Sequence, residues 1–413
     1  MPKPRKPPTR SRRTDTATGP GHATAREPLL LAHIRRRIAR GYRPTSTWDT
    51  PVDYLAPGGF PSPRPGGGGI GLVMPTQVTR ATPEEQREMF RDLLKRVGTA
   101  CRAHPDVRLV LMIGMQWQTP EQRHEARRRL GALVEMAADG PEVVGLLLRG
   151  PLKVRTLNAA ISVAERLGLD GIGWMDDDVR MEEECLARLV TAFREEGCRG
   201  AVGATKIPHS SGHLTSRILH RAKAVAAPAT NYPHGCCILV ATAVVAGGIP
   251  DRYVSDDGYV CFRLLDPGAP DPLHRLRLVP GARVHYQVAG PAGATRRRIR
   301  RLLLNHHIYL ADWSYPTARY YFREILFLGM WPLARWDHSQ GVRFACRKAA
   351  IKWLYFLWFG AIGAELYLRG LFGRPLREVA WSGYPTAGAP GRGTTPATAE
   401  RDLHPTDERK PGP

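Results

Sequence analysis

Short apolar runs alternate with helix-forming segments between residues 70 and 205, and this alternation limits the fold more than any other feature. The apolar runs are "IGLVMP" at 70–75, "VRLVLMIGM" at 107–115, "EVVGLLLR" at 142–149, "GIGWM" at 171–175 and "GAVGAT" at 200–205. Amphipathic or charged segments such as "EEQREMFRDLLKRVGTACRA" separate them. Buried strands separated by helices indicate an α/β fold with a mostly parallel sheet flanked by helices.

The alternation loosens after residue 205. The segment 235–242 predicts a further strand, 255–266 opens a helix, 275–286 is extended and 295–311 forms a strongly basic helix. We therefore expect these elements to complete the same α/β unit.

Composition divides the chain into four parts. Residues 1–65 are basic and rich in Pro and Gly, which predicts a disordered tail and linker. Residues 66–315 form the α/β domain, 316–380 an aromatic-rich helical region, and 381–413 a second tail rich in Gly, Pro and Thr.

The segment "IKWLYFLWFGAIGAELYLRGLF" at 351–372 is long enough to cross a bilayer, but Lys352, Glu365 and Arg369 interrupt it. We predict a helix that lies on a membrane surface or dips into it. A packed helix inside the protein and a true membrane span remain open alternatives.

The net charge of the chain indicates the class of its partner, and its cysteine content limits the kinds of site that it can form. The chain has 60 Lys and Arg against 38 Asp and Glu, a formal charge of +22, which favours an anionic partner. The seven cysteines include no C-x-x-C pair, which argues against a disulfide framework and a zinc site. These features, with no long apolar core near the start, predict a cytoplasmic protein, peripheral on the inner face of the cell membrane.

Three consecutive carboxylates, Asp176, Asp177 and Asp178, follow the strand "GIGWM" directly. In open α/β sheets, ligands bind at the edge formed by the carboxyl ends of the strands. Because side chains alternate along an extended chain, Asp176 and Asp178 are expected to face the same way and Asp177 the opposite way. Two such carboxylates suit Mg²⁺ or Mn²⁺, which could hold two phosphates of a nucleotide. Alternatively, Asp178 caps the next helix while the others are solvated.

Two other segments carry candidate chemistry. "KVRTLN" places Lys153 and Arg155 in the first turn of a helix, a position suited to phosphate. Asp256 and Asp257 precede an apolar helix, where a carboxylate could act as a general base or cap the helix beside Ser255.

In this order, the three segments make the region 70–311 resemble the family 2 glycosyltransferases of the GT-A fold. "KVRTLN" resembles their Lys-x-x-x-Leu-Asn helix and "WMDDD" their Asp-x-Asp motif. "GGIPDRYVSDD" is similar to the module before their acidic pair. The resemblance implies inverting, metal-dependent transfer from a nucleoside-diphosphate sugar, in the first instance a UDP-sugar. The sequence does not identify the acceptor, and a hydroxyl of a glycan, a lipid-linked molecule or a small molecule stays open.

The resemblance also implies roles for residues. Asp257 is the catalytic base with Asp256 beside it. A Mg²⁺ or Mn²⁺ cofactor is held by Asp178 and Asp176, with His285 a further candidate ligand. The implied nucleotide-sugar-binding residues are Pro75, Arg149, Lys153, Arg155, Asn158, Asp176, Asp177, Arg300 and Arg301.

The chain departs from the family pattern in two places. The family has an Asp after the second strand, whereas "IGMQWQTPE" offers only Gln116 or Gln118 as substitutes. Processive members carry Gln-x-x-Arg-Trp, whereas "TRRRIRRLLLNHH" has neither the Gln nor the Trp. The second departure argues against a polymerising synthase.

Two other function classes stay open. A sugar nucleotidyltransferase shares the fold logic, but "MPTQVTRATPEE" lacks the Gly-rich basic loop expected after the first strand. A non-enzymatic protein could bind nucleic acid or anionic lipid through the tails and the Arg-rich run at 296–301. No nucleic-acid-binding module is recognisable, so a nucleic-acid partner is not expected.

Overall fold

The computed structural model describes residues 52–372 apart from short gaps, together with a few isolated positions before residue 37. The gaps are 57–58, 65–67, 138–139, 151, 196–198, 210–216, 218–234, 251–252, 254, 288–291 and 328–340. The predicted tail at 381–413 and most of the one at 1–65 lie outside the described residues.

A nine-stranded sheet organises the described chain, in the order β1-β4-β3-β2-β5-β8-β7-β9-β6. Its strands are β1 (Asp53–Leu55), β2 (Ile70–Gln77), β3 (Leu109–Trp117), β4 (Glu142–Arg149), β5 (Gly171–Met175), β6 (Val179–Met181), β7 (Ala201–His209), β8 (Cys237–Ala241) and β9 (Leu276–Gln287).

Most strands run in one direction. The β4-β3-β2-β5 block is parallel throughout, and the antiparallel strand β8 joins it to the parallel pair β7 and β9. Only β1, β6 and β8 run the opposite way among the described strands. The predicted α/β class, with a mostly parallel sheet flanked by helices and a helical C-terminal region, is confirmed.

The helices are α1 (Pro83–Ala103), α2 (Pro120–Glu135), α3 (Lys153–Leu167), α4 (Cys185–Glu195), α5 (Thr242–Val245), α6 (Asp256–Leu264), α7 (Ala292–Asp312), α8 (Tyr315–Tyr320) and α9 (Val342–Leu371). A π-helix at Tyr321–Phe327 continues α8. Both α1 and α2 begin with a capping box followed by Pro, formed by Thr82 with Glu85 and by Thr119 with Gln122. These local signals explain why both helices start at these residues.

Two strands lie where the sequence indicated none. Strand β1 lies inside the segment 1–65 that was expected to be a tail and linker, and it pairs antiparallel with β4. Strand β6 follows the acidic triplet and pairs with β9, so α4 begins only at Cys185. Each has only three residues, too few to show a periodic pattern.

Close packing of α3 on β3 positions the start of α3. A Cβ at Gly114 would lie 1.9 Å from Thr156 Cγ2, so only glycine admits the helix at this distance. The buried Gln116 amide also donates to the Leu152 carbonyl at 2.7 Å and to Thr156 Oγ1 at 2.9 Å. These contacts fix the first turn of α3, which carries Lys153, at the C-terminal edge of the sheet.

Candidate active site

A pocket with about 780 Å³ of empty space, part of it open to solvent, lies at the carboxyl end of β5. Its lining residues are Leu152, Lys153, Val154, Asp176, Lys206, Gly235, Cys236, Tyr253, Ser255, Asp256, Asp257, Arg301 and Leu302. Three acidic and three basic side chains therefore face one cavity. This is the edge at which open α/β sheets bind ligands.

Lys153 links the carboxylates from two segments. Its Nζ lies 2.6 Å from Asp176 Oδ1 and 3.1 Å from Asp256 Oδ2, and it donates to the Gly235 carbonyl at 2.9 Å. Burial alone would lower the pKa of Lys153, but Asp176 and Asp256 outweigh that effect and raise the pKa. The lysine is therefore a fixed cation at the base of the pocket.

Asp256 opens α6 and is buried. Burial raises its pKa to about 6, Asp257 and Asp176 act in the same direction, and Lys153 opposes them. Asp256 therefore changes charge close to neutral pH.

Hydrogen bonds from three neighbouring groups orient Asp257. Its Oδ2 accepts from the Gly235 N–H at 3.1 Å, and its Oδ1 accepts from the Gly258 N–H at 2.9 Å and from the Ser255 hydroxyl. Ser255 occupies the N-cap position of α6 but makes no side-chain capping bond to the helix. The Ser255 hydroxyl therefore orients Asp257 and does not cap α6.

Glycines allow these acids to sit so close to the backbone. A Cβ at Gly235 would lie 2.8 Å from Asp256 Oδ2, and a Cβ at Gly258 would lie 2.4 Å from the Tyr309 ring. The Tyr309 hydroxyl donates to the Ser255 carbonyl. Helix α7 therefore braces the acidic start of α6.

The acidic triplet forms a turn after β5, so the alternation of an extended strand does not apply. Asp176 reaches Lys153 on the pocket wall, whereas Asp177 and Asp178 both contact Arg80. Arg80 lies 2.6 Å from Asp177 Oδ1 and 2.9 Å from Asp178 Oδ2. The expected common orientation of Asp176 and Asp178, with Asp177 opposite, was wrong in this respect. Two protein cations offset the adjacent negative charges.

Asp177 is enclosed within this turn. The Thr76 hydroxyl donates to its Oδ2 at 2.7 Å. Burial raises the pKa of Asp177 to about 7, and Arg80 and Thr76 act in the opposite direction. With no exposed side-chain surface, Asp177 is suited to holding the turn rather than contacting a ligand.

The donor set for a divalent ion consists of two carboxylates. The side chains of Asp176 and Asp178 are 25% and 23% exposed, which leaves oxygen surface for an ion of the Mg²⁺ or Mn²⁺ type. Within the described chain, no group of three or more His, Cys, Asp and Glu side chains is arranged to hold a metal. Lys153 and Arg80 pair with these two carboxylates, so an ion would bind beside both cations, and metal binding stays a prediction.

His285 lies away from the pocket wall. Its Nδ1 is 2.7 Å from His209 Nε2, and its Nε2 is 3.2 Å from Glu182 Oε1. Both ring nitrogens thus have protein partners, and a role as a metal ligand requires their rearrangement.

Neighbouring arginines of α7 face different elements. Arg301 lines the pocket, whereas Arg300 lies 3.8 Å from Glu365 of α9. Of the two arginines that the sequence proposed, the structure brings Arg301 to the cavity.

Asn158 forms two hydrogen bonds with the "GGIP" segment. Its Nδ2 donates to the Ile249 carbonyl at 2.9 Å, and its Oδ1 accepts from the Ile249 N–H at 2.7 Å. Gly248, with φ +88°, brings the chain against this amide. The asparagine therefore positions the segment that leads to Asp256.

The remaining predicted residues do not line the pocket. Pro75 is buried in β2 opposite Gly114, and the Arg149 guanidinium lies 5.7 Å from the Trp117 ring centroid. Arg155, in the first turn of α3, is half-buried and is not a lining residue of the pocket. Gln118 is exposed, and the amide of Gln116 is used within the protein.

Sequence reasoning missed two cations. Lys206, on β7, lines the pocket, and Arg80 neutralises two members of the acidic triplet. Arg80 follows β2 and therefore lies at the same sheet edge as the triplet, a positional signal that the sequence did contain.

No protein-family model and no curated protein matches the chain. Several solved structures of S. aureus TarS are distantly similar. Residues 1–349 of TarS in complex with UDP-GlcNAc are 10% identical over 74% of this chain and 88% of that chain, with a TM-score of 0.40. TarS 1–349 alone is 9% identical over 70% and 91%, with a TM-score of 0.36. A further TarS structure is 12% identical over 73% and 54%, with a TM-score of 0.35. Membership of family 2 therefore stays a prediction.

Proposed function

We propose that the pocket binds a nucleoside-diphosphate sugar and transfers its sugar, with inversion, to an acceptor hydroxyl. The observation that carries the proposal is the convergence of Asp176, Asp256 and Asp257 with three cations in one cavity. Acids suit a metal ion and proton transfer, and cations suit a leaving diphosphate.

The three cations of the pocket have different roles in donor binding. Lys206 and Arg301 lie on the pocket wall, where they can contact the diphosphate. Lys153 is already engaged by two carboxylates, so it maintains the shape of the site and offsets its negative charge.

Asp257 is assigned as the base. Asp257 lines the pocket, and the N–H groups of Gly235 and Gly258 donate hydrogen bonds that fix the orientation of its carboxylate. In the step, the acceptor oxygen bonds to the anomeric carbon while its proton passes to Asp257. The bond from that carbon to the phosphate oxygen breaks, and the nucleoside diphosphate leaves with the electron pair.

Asp176 and Asp178 would hold a divalent cation, which would supply positive charge to the diphosphate. Asp177 is enclosed and contributes only through its contacts with Arg80 and Thr76.

The proposal is tested by donor hydrolysis and transfer assays with UDP-GlcNAc, the ligand of one of the distantly similar structures, followed by other UDP-, GDP-, CDP- and dTDP-sugars. We expect one donor to release its nucleoside diphosphate, and Asp257→Asn to reduce the rate by about 10²-fold or more. Asp266→Asn, at an exposed position just after α6, is the matched control.

Two results would overturn the proposal. One is Asp257→Asn with wild-type turnover. The other is release of pyrophosphate from a nucleoside triphosphate and a sugar phosphate, which would identify a sugar nucleotidyltransferase instead.

A further inference from the structure

Helix α9 presents an apolar face to the outside of the described protein. Its exposed positions recur at intervals of three and four residues, which places them on one side of the helix. From residue 350 onward they are Ala350, Trp353, Leu354, Leu357, Gly360, Ala361, Ala364, Leu368 and, just after the helix, Phe372. Leu354 and Leu357 are 66% and 61% exposed. Among the described residues of this stretch, none of the exposed ones is charged.

The opposite face of α9 packs on the protein. Ala345, Ala349, Ile362 and Leu366 are buried along the length of the helix. Glu365 also lies 3.3 Å from Arg296 and 3.8 Å from Arg300, both of α7. These contacts fix which face points outward.

This amphipathicity is the reverse of that of an ordinary surface helix, whose outward side is polar. The apolar strip from Ala350 to Phe372 is about 33 Å long at 1.5 Å per residue. A continuous exposed patch of this kind marks an interaction surface.

We propose that the outward face of α9, from Ala350 to Phe372, lies flat on an anionic lipid bilayer. The exposed Arg343 and Arg347 lie on the same face, one to two turns earlier, where they meet anionic headgroups. The chain's formal charge of +22 has the matching sign. The inference does not rest on the proposed enzymatic function.

Contacts along α9 favour a surface position over a span. The segment Val342–Arg369 is the one helix of the described chain that is long and apolar enough to cross a bilayer, with a mean hydropathy of 1.2. A span would place Glu365 and its arginine partners in hydrocarbon, at a large energetic cost. A flat orientation instead keeps this ion-pair group on the protein side.

Flotation of the full chain with phosphatidylcholine vesicles, with and without phosphatidylglycerol, tests the inference. We expect binding that increases with phosphatidylglycerol. Leu354→Gln/Leu357→Gln should weaken binding by roughly tenfold or more, because two apolar side chains leave the lipid. Tyr54→Gln/Met136→Gln removes two exposed apolar side chains elsewhere and should bind as the wild type does.

Arg343→Gln/Arg347→Gln should weaken the response to phosphatidylglycerol while leaving binding to neutral vesicles unchanged. Thermal unfolding checks that each variant is folded, which is expected because the replaced residues are exposed. The proposal fails if wild-type protein stays with the unbound fraction on both vesicles. It also fails if the leucine variant binds normally, or if those substitutions change only the oligomeric state in light scattering, which would assign the face to a second copy of the chain.

Discussion

Lys153 Nζ and Asp176 Oδ1 lie 2.6 Å apart, although one residue begins a helix and the other directly follows a strand. The contact sits where a ligand entering the pocket would meet both charges. It makes the lysine an internal counterion for the acidic end of β5.

Replacing Lys153 by Met should destabilise the protein and impair donor binding. Removing the cation leaves Asp176 and the buried Asp256 without their shared partner, which costs about 3–5 kcal/mol in comparable buried pairs. Chemical denaturation measures this loss. Lys95→Met, at an exposed lysine of α1, should change the unfolding free energy little. Equal stability of the two variants would mean that the Lys153 ion pairs are not structurally important.

The transfer rate should depend on pH through Asp256. Burial raises its pKa to about 6, so the carboxylate that engages Lys153 becomes protonated as the pH falls through this value. We expect kcat/KM to be maintained above about pH 7 and to fall as the pH decreases below 6. Asp256→Asn should have a lower kcat/KM, and its kcat/KM should not show this decrease below pH 6. A flat wild-type profile from pH 5 to 8 would contradict the assignment.

A divalent ion should be needed for tight nucleotide binding. Thermal shifts with UDP and Mn²⁺ should exceed those with UDP and EDTA, since the ion would add charge opposite to that of the diphosphate. Asp178→Asn should lose most of this difference, and Asp266→Asn should keep it. Equal stabilisation by UDP in EDTA would show that protein cations alone neutralise the diphosphate.

Asn158→Ala should loosen the "GGIP" segment. The amide nitrogen and the amide oxygen of Asn158 each hydrogen-bond to the Ile249 backbone. Leaving the two backbone groups of Ile249 unsatisfied costs about 1–3 kcal/mol each. Urea denaturation should report the loss. Glu165→Ala removes an exposed bond to the Gly247 N–H in the same segment and should cost less than about 1 kcal/mol. A larger loss of stability in Glu165→Ala than in Asn158→Ala would contradict the positioning role of Asn158.

The fold was predictable because its main signals are local. Buried strands such as Gly171–Met175 are continuous apolar runs, and capped helices such as Pro83–Ala103 carry their own start signals. By contrast, strands β1 and β6 exist through pairing with β4 and β9. Three-residue strands of this kind are specified by tertiary contacts that no local pattern contains.

The site was predictable only where its residues follow secondary-structure boundaries. Asp176 directly follows a strand, while Lys153 and Asp256 begin helices, and all three reach one pocket. The position of Arg80 after β2 indicated this sheet edge, but its pairing with Asp177 and Asp178 joins distant parts of the chain and is not specified by any local pattern. The turn at these acids also replaced the strand geometry on which their predicted orientation depended.

The distances in sequence between Lys153, Asp176, Asp257 and Arg301 have a consequence for the order of folding. Each lies on a separate segment, and together they enclose one cavity. Contacts between distant segments form late because long loops must close first. During synthesis the pocket cannot be complete until residue 301 has left the ribosome, so a ligand of the finished site cannot assist the folding of the earlier strands.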